Sequence, residues 1–274
     1  MESIKRYQVR GIPGYVERVT FDGRIVDFWA PSEKTAHLLI AHDGQNVFDW
    51  RTSTRRSTWK MAQTAIAVSK ENGISPPVII AVFHSKSPEN PWGRVFDLAP
   101  QDPFQNGIRP GVGSVANLSA KDLNGNKYLE DITETIVPRI LKELDLSQEI
   151  LDKAVIGSSM GGLASLYALS KRPDFFGTAL SLSPHWTAGD NPLVDALIDL
   201  LPPPHGHKIW MSHGTRGHDK KYGPFQDRAN QKMTDLGWIQ ERNFIFRHYK
   251  RYGHNERSWS RKLRQPLSFW LNGD

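Results

Sequence analysis

Short apolar runs alternate with helix-patterned stretches over most of this 274-residue chain, and that alternation restricts its fold more than any other feature. Strand-like runs are expected at 15–20, 24–30, 36–42, 77–84, 153–157, 177–183, 208–213 and 243–249. From the third onward they are brief, apolar and bounded by turn residues, as strands buried on both faces of a parallel sheet should be. Helical patterns at 58–72, 127–144, 163–172, 192–201, 224–236 and 261–271 separate them. Such an order implies βαβ units, hence an α/β fold with a mostly parallel central sheet of about eight strands and helices on both faces. The first two strands, joined by Phe21-Asp22-Gly23, read as an antiparallel hairpin at one edge. No repeat or linker divides the sequence, so a single domain over 1–274 is expected, with a long loop insertion around 101–126.

Charge and cysteine content narrow the function. The 35 Lys and Arg against 29 Asp and Glu leave a net charge of +6, but the cations are scattered. Their densest groups, Arg51, Arg55 and Arg56, then Arg247, Lys250 and Arg251, read as solvated surface charge. No nucleic-acid motif accompanies them, so no nucleic-acid partner is expected, while a basic rim for an acidic small molecule stays open. The absence of cysteine excludes disulfides, Cys-ligated zinc and a thiol nucleophile. The opening fifteen residues lack the apolar core of a signal peptide, and no run approaches membrane-spanning length. A cytoplasmic location and no membrane partner are therefore expected; the oligomeric state is not legible.

Val155-Ile156-Gly157-Ser158-Ser159-Met160-Gly161 matches GxSxG with Ser159 at its centre. A nucleophilic serine in this pattern sits in a sharp strand-to-helix turn, where only glycine lets strand and helix approach so closely. An apolar strand precedes the bracket and the helical pattern 163–169 follows it, which is the setting the chemistry needs. Ser158 suits a helix-capping role. A serine hydroxyl needs a base, and the base an orienting acid. In α/β-hydrolases these follow in the order Ser, acid, His after later strands. His213-Gly214-Thr215-Arg216-Gly217-His218-Asp219 supplies a carboxylate after one strand, and Tyr252-Gly253-His254-Asn255-Glu256 a histidine after the last. His254 is thus the candidate base and Asp219 the candidate acid, with Asp227 and Glu256 as competitors. His213, His218 and Asp219 also allow a metal reading, but no further ligand stands at suitable spacing. An oxyanion hole needs two N–H donors. Met160, after the nucleophile, offers one, and Gln45, in the Asp43-Gly44-Gln45 turn after the third strand, offers the second.

These stretches together, His42 to Asp49, Gly157 to Gly162, Ser181-Leu182-Ser183-Pro184-His185-Trp186, and Gly253-His254-Asn255-Glu256 with Trp259, resemble the putative esterase family of α/β-hydrolases. That group includes enterochelin-type siderophore esterases, feruloyl esterases, S-formylglutathione hydrolases and mycolyl transferases. The similarity runs from about Val16 to the C-terminus. It implies a Ser159, Asp219, His254 triad, Gln45 and Met160 as backbone donors, acyl-ester chemistry on a small or medium substrate, and no cofactor or metal. The chain departs from the larger enterochelin esterases in showing no separate N-terminal domain. It lacks the thiol often found near the formylglutathione site, and its polar start disfavours the secreted mycolyl transferases and plant-wall esterases.

Substrate-pocket candidates are Trp186, equally readable as wall or core, and Asn90 and Arg94 after the fourth strand. Arg94 would meet an acidic group or pair with Asp97. Asp122-Leu123-Asn124-Gly125-Asn126 superficially suggests a calcium loop, but its glycine is misplaced and Thr133 stands where the bidentate Glu belongs, so helix capping is the better account. The leading expectation is a serine carboxylesterase. An acyltransferase of the same fold, or a hydrolase-fold binding protein without turnover, are the alternatives.

Overall fold

The computed structural model describes residues 1–111 and 119–272. The strands are β1 (Glu2–Tyr7), β2 (Val16–Phe21), β3 (Arg24–Trp29), β4 (His37–Ala41), β5 (Val78–Val82), β6 (Asp152–Ser158), β7 (Thr178–Leu182), β8 (Lys208–Arg216) and β9 (Phe244–Gly253). The helices are α1 (Met61–Glu71), α2 (Gly93–Leu98), α3 (Gln101–Gln105), α4 (Gly125–Glu130), α5 (Val137–Glu143), α6 (Met160–Lys171), α7 (Asp190–Asp199), α8 (Gly223–Asp235), α9 (Glu256–Lys262) and α10 (Arg264–Leu271). Among the described residues nine strands, rather than about eight, form a mostly parallel sheet in the order β1-β2-β3-β5-β4-β6-β7-β8-β9. Two compact units divide the chain. One holds 1–84, 130–155 and 255–274; the other holds 85–129 and 156–254.

In the first unit, β4 and β5 pair in parallel, and Leu38, Leu39, Ile40, Val78, Ile79, Ile80 and Val82 are fully buried. Each such side chain contributes about 1.5–3 kcal/mol on leaving water, so the apolar runs seen in the sequence anchor this unit. β2 and β3 form the expected hairpin, with Phe21 opposite Arg24. Asp22 and Gly23 both take positive φ (47° and 84°), as a two-residue turn of the I′ kind requires. The hairpin is not the edge, however, because β1 pairs antiparallel outside β2. Its sequence ESIKRY is polar and largely exposed, so no apolar alternation marked it.

A buried ion pair ties β2 to β3. Arg18 stands opposite Asp27 and donates to it through Nε (2.6 Å) and Nη2 (2.7 Å). The Tyr7 hydroxyl donates to the same carboxylate at 2.7 Å. Asp27 is 0% exposed and Arg18 7%, so the bidentate geometry is what offsets the desolvation of both charges.

The expected 127–144 helix begins at Gly125 and is not uniform, since residues Asp131–Ile136 adopt a π-helical turn between α4 and α5. Pro138 supplies the reason: it lacks the N–H that would bond the carbonyl four residues back and crowds that turn. Pro266 similarly explains why the expected 261–271 helix is divided into α9 and α10.

In the second unit, β7 pairs in parallel with β8 and β8 with β9, and α6 is buried from Met160 through Leu169. The 101–126 segment, expected as a loop, carries α3 and a 3-10 turn at Ala120–Asp122, while residues 112–118 of it lie outside the described residues. Its ends are pinned to α6. Asn126 Nδ2 donates to Asp102 Oδ1 (2.7 Å), and the Tyr167 hydroxyl donates to Asn126 Oδ1 (2.6 Å).

Among the described residues, no helix is long and apolar enough to cross a membrane.

Candidate active site

The strand β6 runs into α6 through Ser159, whose backbone takes φ 58°, ψ −121°. A non-glycine residue there is strained by about 1–3 kcal/mol, and the neighbours must hold it in place. The Ser159 N–H donates to the Leu182 carbonyl (2.9 Å), and its own carbonyl accepts from the N–H groups of Gly162 and His185. A Cβ on Gly157 would collide with the Gly161 carbonyl, and one on Gly162 would press on Ser181 and Leu182. The glycine bracket is therefore a steric requirement of strand–helix contact. Ser158 is the last residue of β6 rather than a helix cap; its carbonyl receives Arg94 Nη2 at 3.5 Å. Met160 is the first residue of α6, so its N–H is one of those a helix leaves without an internal partner.

β8 and β9 are longer than the sequence pattern suggested. Arg216 at the end of β8 pairs with Gly253 at the end of β9, and a 3-10 turn Gly217–Lys221 then carries Asp219. This register brings Asp219 and His254 together, with Asp219 Oδ1 2.6 Å from His254 Nδ1. Asp219 Oδ2 accepts from the Gly214 N–H (2.7 Å) and the Ser183 hydroxyl (2.9 Å). Burial opposes ionisation of Asp219, but His254, Gly214 and Ser183 outweigh it and hold the carboxyl below its ordinary value. A carboxylate at Nδ1 leaves Nε2 of the neutral ring as a proton acceptor. The competitors have other surroundings: Asp227 lies exposed on α8, and Glu256 faces Arg55 at 3.5 Å.

Of the pocket candidates, Trp186 is 0% exposed and donates its indole N–H to Gln226 Oε1 (3.0 Å), so it presents nothing to solvent. Asn90 braces its own loop, its carbonyl accepting from the Gly93 N–H. Arg94 approaches the elbow through the Ser158 carbonyl, while the Asp97 carboxylate accepts from the Ser85 N–H (2.7 Å). His213 donates Nδ1–H to the Gly214 carbonyl and lies against His248 and Phe246. Gln45 belongs to the other unit. It sits in a 3-10 turn Gly44–Asn46 directly after Asp43, which is left-handed at φ 54°, and a Cβ on Gly44 would collide with the Ala81 carbonyl of β5.

Three residues beside Asp219 and His254 escaped the sequence reading: Ser183, His185 and Tyr222. Ser183 and His185 both lie within the Ser181–Trp186 motif, but nothing local in it distinguishes them from turn residues after a strand. Tyr222 carried no local signal, because only loop packing brings it to the site.

A strand–serine–helix elbow, an acid after β8 and a histidine after β9 are the arrangement of an esterase of α/β-hydrolase fold. Residues 24–269 match the Putative esterase family, and the chain belongs to it. Among solved structures it is similar to the enterobactin esterase FES from Shigella flexneri (19% identity, TM-score 0.60, covering 100% of this chain and 61% of that one). It is similar also to the Enterobactin and Salmochelin Hydrolase IroE (19%, TM-score 0.61, 94% and 95%). An IroE-like serine hydrolase from Shewanella oneidensis gives 16% identity and a TM-score of 0.65 over 98% and 78%. At these identities the likeness is one of fold. A 59-residue stretch is 39% identical to the Uncharacterized protein YbbA of Bacillus subtilis (strain 168), covering 22% of this chain and 24% of that protein.

Proposed function

We propose that the chain hydrolyses carboxylic esters through an acyl-enzyme on Ser159. One observation carries the reading: within the same unit, a strained serine stands at a strand–helix elbow, and an imidazole has its Nδ1 held 2.6 Å from a buried carboxylate. Ser159 Oγ attacks the ester carbonyl while His254 Nε2 takes its proton. Asp219, ionised and fully bonded, keeps the ring in the accepting tautomer and stabilises the imidazolium. The Met160 N–H receives the developing oxyanion, and the family resemblance assigns the second donor to the Gln45 N–H; loss of one such donor costs ~10²- to 10³-fold. His254 then protonates the departing alcohol, and water, activated by the same base, releases the acid. No cofactor enters this sequence.

The substrate is a small or medium ester. Fold neighbours described as enterobactin, salmochelin and siderophore hydrolases support siderophore esters as the first natural compounds to try. The test uses p-nitrophenyl esters of increasing acyl length with Ser159→Ala beside wild type, together with fluorophosphonate labelling. Turnover and labelling that both vanish in the variant support the reading. A variant as active as wild type, or a wild type that neither turns over nor labels, overturns it. Added alcohol, with product analysis, measures acyl transfer against hydrolysis.

A further inference from the structure

The chemistry above leaves one group beside the nucleophile unused. His185 follows β7, and its backbone N–H donates to the Ser159 carbonyl at 3.2 Å. Its ring is partly exposed, centred 6.3 Å from that of His254 and 6.5 Å from that of His218. Nδ1 lies 2.6 Å from the Tyr222 hydroxyl. Tyr222 is 1% exposed and meets His254 edge-on, with centroids 5.8 Å apart.

The protons of this pair can be assigned. Burial, with the nearby His254, Arg94 and His218, pushes His185 down to about 3, so its ring is neutral and carries a single proton. Burial and the Asp219 charge push the Tyr222 phenol up, so it keeps its proton. A phenol O–H is a better donor than acceptor, so across this 2.6 Å contact Tyr222 donates to His185 Nδ1. A neutral imidazole that accepts at Nδ1 holds its proton on Nε2. That atom has no partner among the described residues.

We propose that His185 is a specificity-determining residue that offers its Nε2–H to an acceptor oxygen on the substrate beside the scissile ester, with Tyr222 as the positioning residue behind it. The proposal rests on the esterase reading and names its substrate class: esters carrying an additional ether, hydroxyl or carbonyl oxygen within reach of the elbow. His185 does not act as a second base, because Nδ1 is occupied and Nε2 already bears a proton.

Isosteric ester pairs test this. On the acyl side, p-nitrophenyl methoxyacetate is compared with p-nitrophenyl butanoate; on the alcohol side, 2-methoxyethyl butanoate with butyl butanoate. In one of the pairs, His185→Leu is expected to lose about 3- to 10-fold more kcat/KM on the oxygenated member than on its isostere, the range of one neutral hydrogen bond. His185→Gln, which keeps an N–H, should recover most of that selectivity. The pair that responds shows which side of the ester carries the oxygen. The selectivity ratio should stay flat from pH 5.5 to 8.5, even though His254, His218, Asp219, Arg94 and Tyr222 surround the ring. Tyr222→Phe, which frees the tautomer, should give a smaller loss of the same kind; it decides the matter if the Leu variant does not fold. Equal losses on both members of both pairs, no recovery with Gln, an unchanged ratio in Tyr222→Phe, or a ratio that titrates would each overturn the proposal. A wild type that hydrolyses no ester and resists fluorophosphonate would instead remove the esterase reading, and this inference with it.

Discussion

His254 Nδ1 and Asp219 Oδ1 lie 2.6 Å apart, with the carboxylate side chain 1% exposed and the imidazole 13%. The contact is short and charge-assisted, and Asp219 has two further donors to hold it in place. Asp219→Asn would keep the shape but present an amide N–H or a weaker acceptor to Nδ1, which disturbs the tautomer the base needs. A fall in kcat/KM of about 10³- to 10⁴-fold is expected, with little change in KM. Steady-state kinetics on a p-nitrophenyl ester checks this; a loss below tenfold would mean that another group orients His254.

The elbow makes a second demand. Gly157→Ala places a methyl against the Gly161 carbonyl, where neither strand nor helix backbone can yield cheaply. Destabilisation of about 1–3 kcal/mol is expected, along with loss of fluorophosphonate labelling as Ser159 is displaced. Urea unfolding and the labelling rate report the two effects separately, and a variant like wild type in both would show that the bracket is not under steric load.

Stability should fall in acid because of His185 and Asp219. The unfolded His185 takes a proton near pH 6.5, whereas the folded one resists protonation down to about 3. Between those values the unfolded state binds the extra proton, so stability is full above pH 6.5 and declines as pH drops, by up to about 1.4 kcal/mol per pH unit. Asp219, held below its ordinary value, acts in the same direction at lower pH, losing its contribution as pH falls through its folded value. His185→Gln should flatten the slope between pH 4.5 and 6.5. Urea midpoints across that range decide, and parallel curves for both proteins would show that His185 titrates normally.

The Arg18–Asp27 pair offers a test of the first unit. Asp27→Ala strands a buried guanidinium and removes the acceptor of Tyr7, at an expected cost of about 3–5 kcal/mol. Replacing both partners, Arg18→Met with Asp27→Leu, should recover much of it, since the uncompensated charge is gone. If the single substitution costs under 1 kcal/mol in urea unfolding, water reaches the pair.

Much of the architecture was legible because it rests on local rules. The runs that became β4 and β5 announced themselves through unbroken apolar residues, the turn at Asp22-Gly23 through its tolerance of positive φ, and the elbow through glycines that a strand–helix contact requires. β1 was hidden by its polar, exposed face, and the π-helical turn before Pro138 by a pattern that looks helical either way. In the site, Ser159 and His254 could be nominated from their positions after strands, and Asp219 likewise, but with Asp227 and Glu256 as nearby competitors. The β8–β9 register, with Arg216 opposite Gly253, separated them.

What the sequence determined by itself was the alternation that makes an α/β sheet and the glycine bracket that bends a strand into a helix around Ser159, because burial pattern and steric allowance are properties of neighbouring residues. Tertiary structure decided between Asp219 and its competitors as the carboxylate on His254, and it alone decided that Trp186 is core and that His185 and Tyr222 form a hydrogen-bonded pair beside Ser159. Those outcomes depend on which strand ends meet and how deeply each group is buried, and contacts between residues dozens of positions apart leave no periodic trace along the chain.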